Sequence, residues 1–333
     1  MSPRPKPPEG AYTPSRKPGV RVSVPASSAN LGPGFDVLAL ALELVNTYDV
    51  WEMETELRIE VFGEGAGSVP TDYDNLFYTT MNTFFTLAGY QPGGLLIREQ
   101  NHIPLARGLG SSAATIVGAL LAARYVSGYQ MDDERLLDLA SSLEGHADNT
   151  TAAMRGGLNL VIPETGGRHV ARRLPWPPAL GCALFIPELL VSTESAREVL
   201  PAEYPRDEVT SNLARLALFI SALQESRFED LALATQDRLH QPYRAELVPG
   251  LDSIIGAAMM AGSLGAFLSG AGPTILALYP RETRGRGQTI ADAMVKAGAG
   301  FGLEGRGVVL DARVRGADFA SLPHDPSGVP LLR

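Results

Sequence analysis

Lysine is almost absent from this 333-residue chain: only Lys6, Lys17 and Lys296 occur, within a total of 28 Lys and Arg. Positive charge is carried by Arg, whose planar fork suits paired recognition of carboxylate and phosphate. A GC-rich codon usage accounts for most of that bias. The scarcity still excludes a phosphate loop of the Walker type, which needs Gly-Lys-Ser or Gly-Lys-Thr, because no lysine lies between Lys17 and Lys296. Positive charge is also in deficit overall. A formal net charge of -9 disfavours general attraction to nucleic acid or an anionic membrane, although a local basic site remains open. Cysteine occurs once, at Cys182. That excludes an intramolecular disulfide and a cysteine-based metal site, and it fits a reducing cytoplasm. Within the run Cys182-Ala183-Leu184-Phe185-Ile186 the thiol reads as core. Long apolar runs are missing as well. Ser253 to Pro280 has no charged side chain and matches a bilayer in length, but five glycines and Pro273 interrupt it. It reads as a buried helix followed by two buried strands, not a membrane span. The first eighteen residues hold six prolines and no apolar stretch, which excludes a signal peptide and predicts a disordered tail.

What is present is ordinary for a globular protein. Hydrophobic residues are 45% and charged residues 20%, and the length suffices for two packed domains. Val20 to Val24 alternates as a strand. Ala26 to Phe35 reads as a small-residue loop, and Asp36 to Val45 as helix or buried strand. Strands are expected within 48–61 and at Leu95–Glu99, and a helix at Tyr73–Leu87 with Asp74 near its start. Ser111 to Val126 is an Ala-rich helix ending at Gly128. Asp132 to Leu143 is an amphipathic helix with Asp132 as N-cap. Leu158–Ile162 is a strand. The second half should bring a strand at Ala183–Ile186 and helices near 208–224, 228–238 and 251–260. Strands at 266–269 and 274–279, a helix at 287–297 and a strand at 308–314 follow. The mix is α+β in two lobes: a tail over 1–18, an N-terminal domain over 19–166 and a C-terminal domain over 167–333.

The most specific local feature is Pro104-Leu105-Ala106-Arg107-Gly108-Leu109-Gly110-Ser111-Ser112-Ala113, set between a strand and a strong helix. A helix start offers unpaired N–H groups and the positive end of the dipole, so it binds anions. Gly108 and Gly110 let the backbone approach phosphate. Gly-Ser-Ser alone would be read as a helix cap; the whole segment in strand–loop–helix context reads as a phosphate site. The loop resembles the nucleotide loop of the GHMP kinase superfamily. Two further segments resemble its motifs in the right order: Pro25-Ala26-Ser27-Ser28-Ala29-Asn30-Leu31-Gly32-Pro33-Gly34-Phe35-Asp36, and Leu268-Ser269-Gly270-Ala271-Gly272-Pro273-Thr274. Three more stretches are similar to the homoserine kinase branch. They are Glu144-Gly145-His146-Ala147-Asp148-Asn149, with Ala147 in place of a frequent Pro; Ser192 to Pro201, with Ala196-Arg197; and Asp237-Arg238-Leu239-His240-Gln241-Pro242-Tyr243-Arg244.

The resemblance implies a two-lobed fold, with an N-terminal lobe like the second domain of ribosomal protein S5 and a ferredoxin-like C-terminal lobe. The glycine segment 270–273 should approach the 107–112 loop. It implies ATP-dependent phosphorylation of the homoserine hydroxyl, an early step toward threonine, by a cytoplasmic homodimer with no nucleic-acid or membrane partner. Substrate residues carried over are Asn30, Asp36, His146, Asn149, Arg197 and Arg244, the two arginines suiting the carboxylate. Magnesium falls to Glu144 with Ser112, or with Ser111 as the alternative hydroxyl. Asp36 and Asn149 are the catalytic candidates. Related mevalonate- and galactose-type kinases are thought to use an Asp where Asn149 stands. Asn149 implies direct attack by an oriented hydroxyl, with Asp36 as base the alternative. Singly, most of these residues would be surface or turn groups, and His146 a helix C-terminal cap partner. A mevalonate-type kinase and a catalytically silent metabolite sensor are the competing readings. Glu144, the Ser pair and Asp36, all present, speak against the second.

Overall fold

The structure is a computed structural model that describes residues 17–324 and Pro326. Of the Pro-rich tail, residues 1–16 lie outside the described residues. Lys17 pairs with Glu52 at 2.9 Å and donates to the Tyr90 hydroxyl.

The chain opens with strands β1 (Gly19–Asn30), β2 (Gly34–Met53) and β3 (Leu57–Gly63) and helix α1 (Leu76–Ala88). Strand β4 (Gly94–Asn101) leads through the Gly-rich loop into α2 (Ser111–Ser127), followed by α3 (Asp133–Glu144), α4 (Asp148–Arg155), β5 (Leu158–Pro163) and β6 (His169–Leu174). The second half runs β7 (Leu180–Pro187), α5 (Thr193–Glu198), α6 (Arg206–Glu225), α7 (Leu231–Ala234), α8 (Gln241–Arg244), α9 (Leu251–Met260), β8 (Gly265–Leu268), β9 (Ile275–Pro280), α10 (Arg286–Ala299), β10 (Gly305–Leu310) and β11 (Asp318–Leu322).

The first sheet has the order β11-β1-β2-β4-β3, with β5 on β2 and β6 on β5. The second is an antiparallel β10-β7-β9-β8 sheet against which α9 and α10 pack. This is the expected α+β arrangement in two lobes. Strand pairing keeps residues 169–174 in the first sheet and brings 318–322 back to it from the chain's end.

Several segments differ from their local reading, and one open reading is settled. Ala26–Asn30 is strand rather than loop, and Asp36–Val45 resolves to the long β2. The small residues of 26–29 pair with 39–42, and the register shifts at Pro25/Ala26 and Ala29/Asn30. Such bulges bend a ladder without breaking it, and here they aim the 30–36 turn at the other lobe. The expected 228–238 helix shrinks to a 3₁₀ turn and α7. The helix expected from Tyr73 starts at Leu76, capped by Asn75, whose Oδ1 accepts the Tyr78 N–H, and not by Asp74. Helix α3 starts at its expected Asp132 cap, α2 ends at Gly128 as expected, and α9 keeps its expected range. Helix α2 lies buried against β1, β2 and α1. Its Gly118 permits that approach, since a Cβ there would sit 2.7 Å from the Tyr48 ring.

Candidate active site

A cleft of about 340 Å³ opens between the lobes, lined by the Gly-rich loop, the 30–36 turn, the ends of α3 and α4, α5, Arg244 and Gly270. It gathers Asn30, Asp36, Ser112, Glu144, His146, Asn149, Arg197 and Arg244, with Leu105 to Gly108 and Gly110 to Ser112 of the loop. Pro104, Leu109 and Ala113 support the loop from outside the lining.

The loop's glycines are forced by contact. Gly108 (φ 72°) lies so close to the 269–272 turn that a Cβ would meet Ser269 O at 2.2 Å, and Ser269 Oγ donates to Gly108 O at 2.7 Å. The two glycine segments, 161 residues apart, thus share one wall, as the sequence predicted. Gly110 (φ 68°) leaves room for Ser27 Oγ, 2.2 Å from where its Cβ would be. A positive φ and a close neighbour together leave glycine as the residue that fits. Helix α2 begins directly after Gly110, so its first N–H groups face the cleft as an anion cradle. Arg107 behaves differently from its neighbours. Its Nε donates to Pro187 O at 2.6 Å, Nη1 to Leu105 O and Nη2 to Glu188 O, so its side chain ties the loop to the end of β7 instead of facing phosphate.

Ser112 Oγ donates to Glu144 Oε1 at 2.5 Å. Burial raises the Glu144 pKa, while Ser112 and His146 oppose the rise. Among the described residues no group of three or more His, Cys, Asp and Glu is placed to hold a metal ion. A cation here fits Glu144 and Ser112 as two hard oxygens, with phosphate and water completing the set, the pattern magnesium favours. His146 lies between two acids. Its Nδ1 is 2.9 Å from Asp148 Oδ1 and its Nε2 is 3.6 Å from Glu144. Burial works against its charged form, but the Asp148 hydrogen bond and both carboxylate charges outweigh it and raise its pKa.

The far end of the cleft is built by the 30–36 turn. Asn30 and Asp36 both have positive φ, 71° and 58°, held by a network: Asn30 Oδ1 accepts the Asp36 N–H and its Nδ2 donates to Gly270 O. Asp36 is gripped by Arg197 in fork geometry, at 2.9 and 3.1 Å. Burial disfavours charge on Arg197, but Asp36 more than compensates and its pKa is raised. Arg244 is 2% exposed. Its Nε donates to Ala196 O and its Nη1 to Gly270 O, both at 3.0 Å, and Nη2 takes no hydrogen-bond partner among the described residues. Burial pulls its pKa down to about 10, with Arg197 adding and Asp36 opposing. Both guanidinium groups lie over the Phe35 ring, at 5.3 and 6.0 Å. Asn149, at the start of α4, accepts from Ser27 Oγ at 2.8 Å, leaving its Nδ2 with only a long 3.5 Å contact to Asp148.

Sequence reasoning missed α4, Ser27 and Asp148, although both residues lie inside the motifs quoted above. Asp148 is 2% exposed, and its Oδ1 serves the His146 ring and the Asn149 N–H together. It also missed a buried polar group beyond the loop, where Asn75 Nδ2 donates to Glu99 Oε1 at 2.6 Å. Asn75, Glu99 and Asn101 line the same cleft, and no motif marked them.

The Gly-rich loop at the start of α2, the Ser112–Glu144 pair and the charged group of Asp36, Arg197 and Arg244 thus face one cleft between the two lobes. Residues 75–157 match the family described as GHMP kinases N terminal domain, and 219–300 match GHMP kinases C terminal. Curated relatives named homoserine kinase include one from Caldanaerobacter subterraneus subsp. tengcongensis, 45% identical over 80% of this chain and 85% of its own. Another, from Carboxydothermus hydrogenoformans, is 39% identical over 90% and 96%. A crystal structure of homoserine kinase from Cytophaga hutchinsonii superposes with TM-score 0.81 at 28% identity, covering 93% of this chain and all of that one. The chain belongs to the homoserine kinase family within the GHMP kinases. A mevalonate kinase structure at 16% identity and TM-score 0.65, covering 88% of this chain and 99% of that one, shares the fold alone.

Proposed function

We propose that this protein transfers the γ-phosphoryl group of ATP to the side-chain hydroxyl of L-homoserine, giving O-phospho-L-homoserine for threonine synthesis. The observation that carries this is the meeting of Asp36, Arg197, Arg244 and Asn149 within one cleft beside the Gly-rich loop. A small zwitterion offers little apolar area, so its binding must rest on charge-assisted bonds. Asp36 suits the ammonium group, and Arg197 with the open Nη2 of Arg244 suits the carboxylate. Asp36 and Arg197 also pair with each other, which orients both groups in the cleft.

The start of α2, where Gly108 and Gly110 leave the backbone open, would hold the triphosphate through the helix N–H groups. Glu144 and Ser112 would hold magnesium, which when bound neutralises charge on the β- and γ-phosphates. Asn149 Oδ1 accepts from Ser27 Oγ, which turns the amide so that its Nδ2 can donate to the acceptor hydroxyl oxygen and direct its lone pair. An amide takes up no proton, and both Asp36 oxygens are engaged by Arg197. These favour orientation over a protein base, with the proton passing to the transferred group. Phosphoryl transfer asks mainly for in-line placement and charge neutralisation, so positioning suffices as the protein's contribution.

A substrate panel with purified protein, ATP and magnesium tests the reading. Turnover of L-homoserine well above mevalonate and sugars is expected; turnover of mevalonate or a sugar with none of homoserine refutes it. The same reading expects a cytoplasmic homodimer, for which sedimentation equilibrium supplies the mass. Among the described residues no helix is long and apolar enough to cross a membrane.

A further inference from the structure

We propose that His240 is a positioning residue for the amino-acid substrate: it joins the substrate turn at Gly32 to Arg244 and fixes the direction in which Arg244 presents its free amino group. The proposal rests on the reading of Arg244 as the carboxylate partner. His240 is fully buried. Its Nε2 lies 2.9 Å from Gly32 O, and its Nδ1 lies 3.2 Å from Arg244 Nη1. A carbonyl only accepts and a guanidinium only donates. The ring is therefore neutral, with hydrogen on Nε2 and a bare Nδ1. The other tautomer, or a doubly protonated ring, would set two N–H groups against each other.

The surroundings hold this state. Asp237 Oδ2 accepts the backbone N–H groups of His240 and Gln241, at 2.8 and 2.7 Å, which orients the start of α8. Phe35 stacks on the imidazole with centroids 5.3 Å apart and planes 21° apart, and both guanidinium groups lie over the same ring. Burial, helped by the Arg244 charge and opposed by Asp237, lowers the His240 pKa, in keeping with a neutral ring. Arg244 consequently has its Nε and Nη1 committed, to Ala196 O, Gly270 O and His240, and among the described residues only Nη2 is left for a ligand. Without the imidazole, Nη1 would lose one of its two partners and Gly32 O its donor, and both the turn and the guanidinium could rotate. A merely packing histidine would affect stability without separating the two substrates.

The test compares H240N, whose side-chain oxygen can replace Nδ1 as acceptor, with H240L, which replaces neither nitrogen. H240L should raise the homoserine KM by about tenfold, as for one charge-assisted bond, leaving the ATP KM and kcat within about twofold. H240N should recover most of that loss. An unchanged homoserine KM in H240L, or equal losses for both substrates, overturns the proposal. Should H240L fail to fold, ¹⁵N NMR of the wild-type histidines at neutral pH decides: a bare Nδ1 with protonated Nε2, identified by its absence from H240N, supports the proposal, and any other state overturns it. If R244K spares homoserine, the substrate reading itself falls. If R244K weakens homoserine and H240L does not, only the role of His240 falls.

Discussion

Replacing Arg244 by lysine separates the amino-acid site from the nucleotide site. The guanidinium spends Nε and Nη1 on Ala196 O, Gly270 O and His240 Nδ1, and keeps Nη2 for the ligand. A lysine carries its donors on a single nitrogen. That nitrogen can satisfy the protein acceptors or the substrate carboxylate, but not both. Losing one charge-assisted bond, worth roughly 1.5–3 kcal/mol, should raise the homoserine KM by about tenfold to about a hundredfold at about 1.4 kcal/mol per decade. The ATP KM should stay within about twofold. The pH dependence sharpens the test. Burial leads the forces that bring Arg244 down to about 10, and the same burial would lower a lysine there below its ordinary value near about 10.4. A cation is lost as pH rises through its pKa. R244K should therefore lose further homoserine affinity at a lower pH than the wild type, whose arginine starts from a higher ordinary value. Steady-state kinetics with both substrates varied supply the numbers, and an amino alcohol lacking the carboxylate should lose most of the discrimination between wild type and variant. A variant that binds ATP weakly and homoserine normally would assign Arg244 to the nucleotide and refute the reasoning.

Ser112→Ala and Glu144→Ala should each lower kcat strongly and raise the magnesium needed for half-maximal rate, with far-ultraviolet circular dichroism unchanged; wild-type rates in both would remove them from the metal site. Asn149→Ala should reduce kcat by roughly one to two orders of magnitude, in the range of a positioning group, with little change in either KM, and a purely KM effect would assign it to binding. Gly108→Ala places a Cβ 2.2 Å from Ser269 O in a left-handed conformation, so it should raise the ATP KM and lower Tm. Calorimetry showing full stability together with normal ATP binding would contradict the shared wall.

Local signals carried the helices well. Asp132 capping α3, Gly128 ending α2 and the apolar spacing of α9 are each set by neighbours in sequence. They also carried the position of the Gly-rich loop, because a strand, two glycines and a helix start follow one another there. Where the backbone was decided by a distant partner, local reading failed. Ala26–Asn30 has loop composition yet lies paired with β2. Strand β11, 300 residues after β1, exists as strand only because β1 offers it an edge.

The site divides in the same way. The sequence by itself determined which chemical groups are available: few lysines, Arg in the substrate stretches, an amide at Asn149, and a Gly-Ser-Ser opening α2. Only the tertiary structure decided how those groups are used. Arg107 sits in the Gly-rich loop but spends its guanidinium on carbonyls near β7. Arg197 closes on Asp36, 161 residues away, and Arg244 is left with a single free amino group because Ala196, Gly270 and His240 take the rest. Hydrogen bonds are short-range and directional. A residue's type fixes what it can donate or accept, and the partner that receives it is known only when the fold brings one within 3 Å or so.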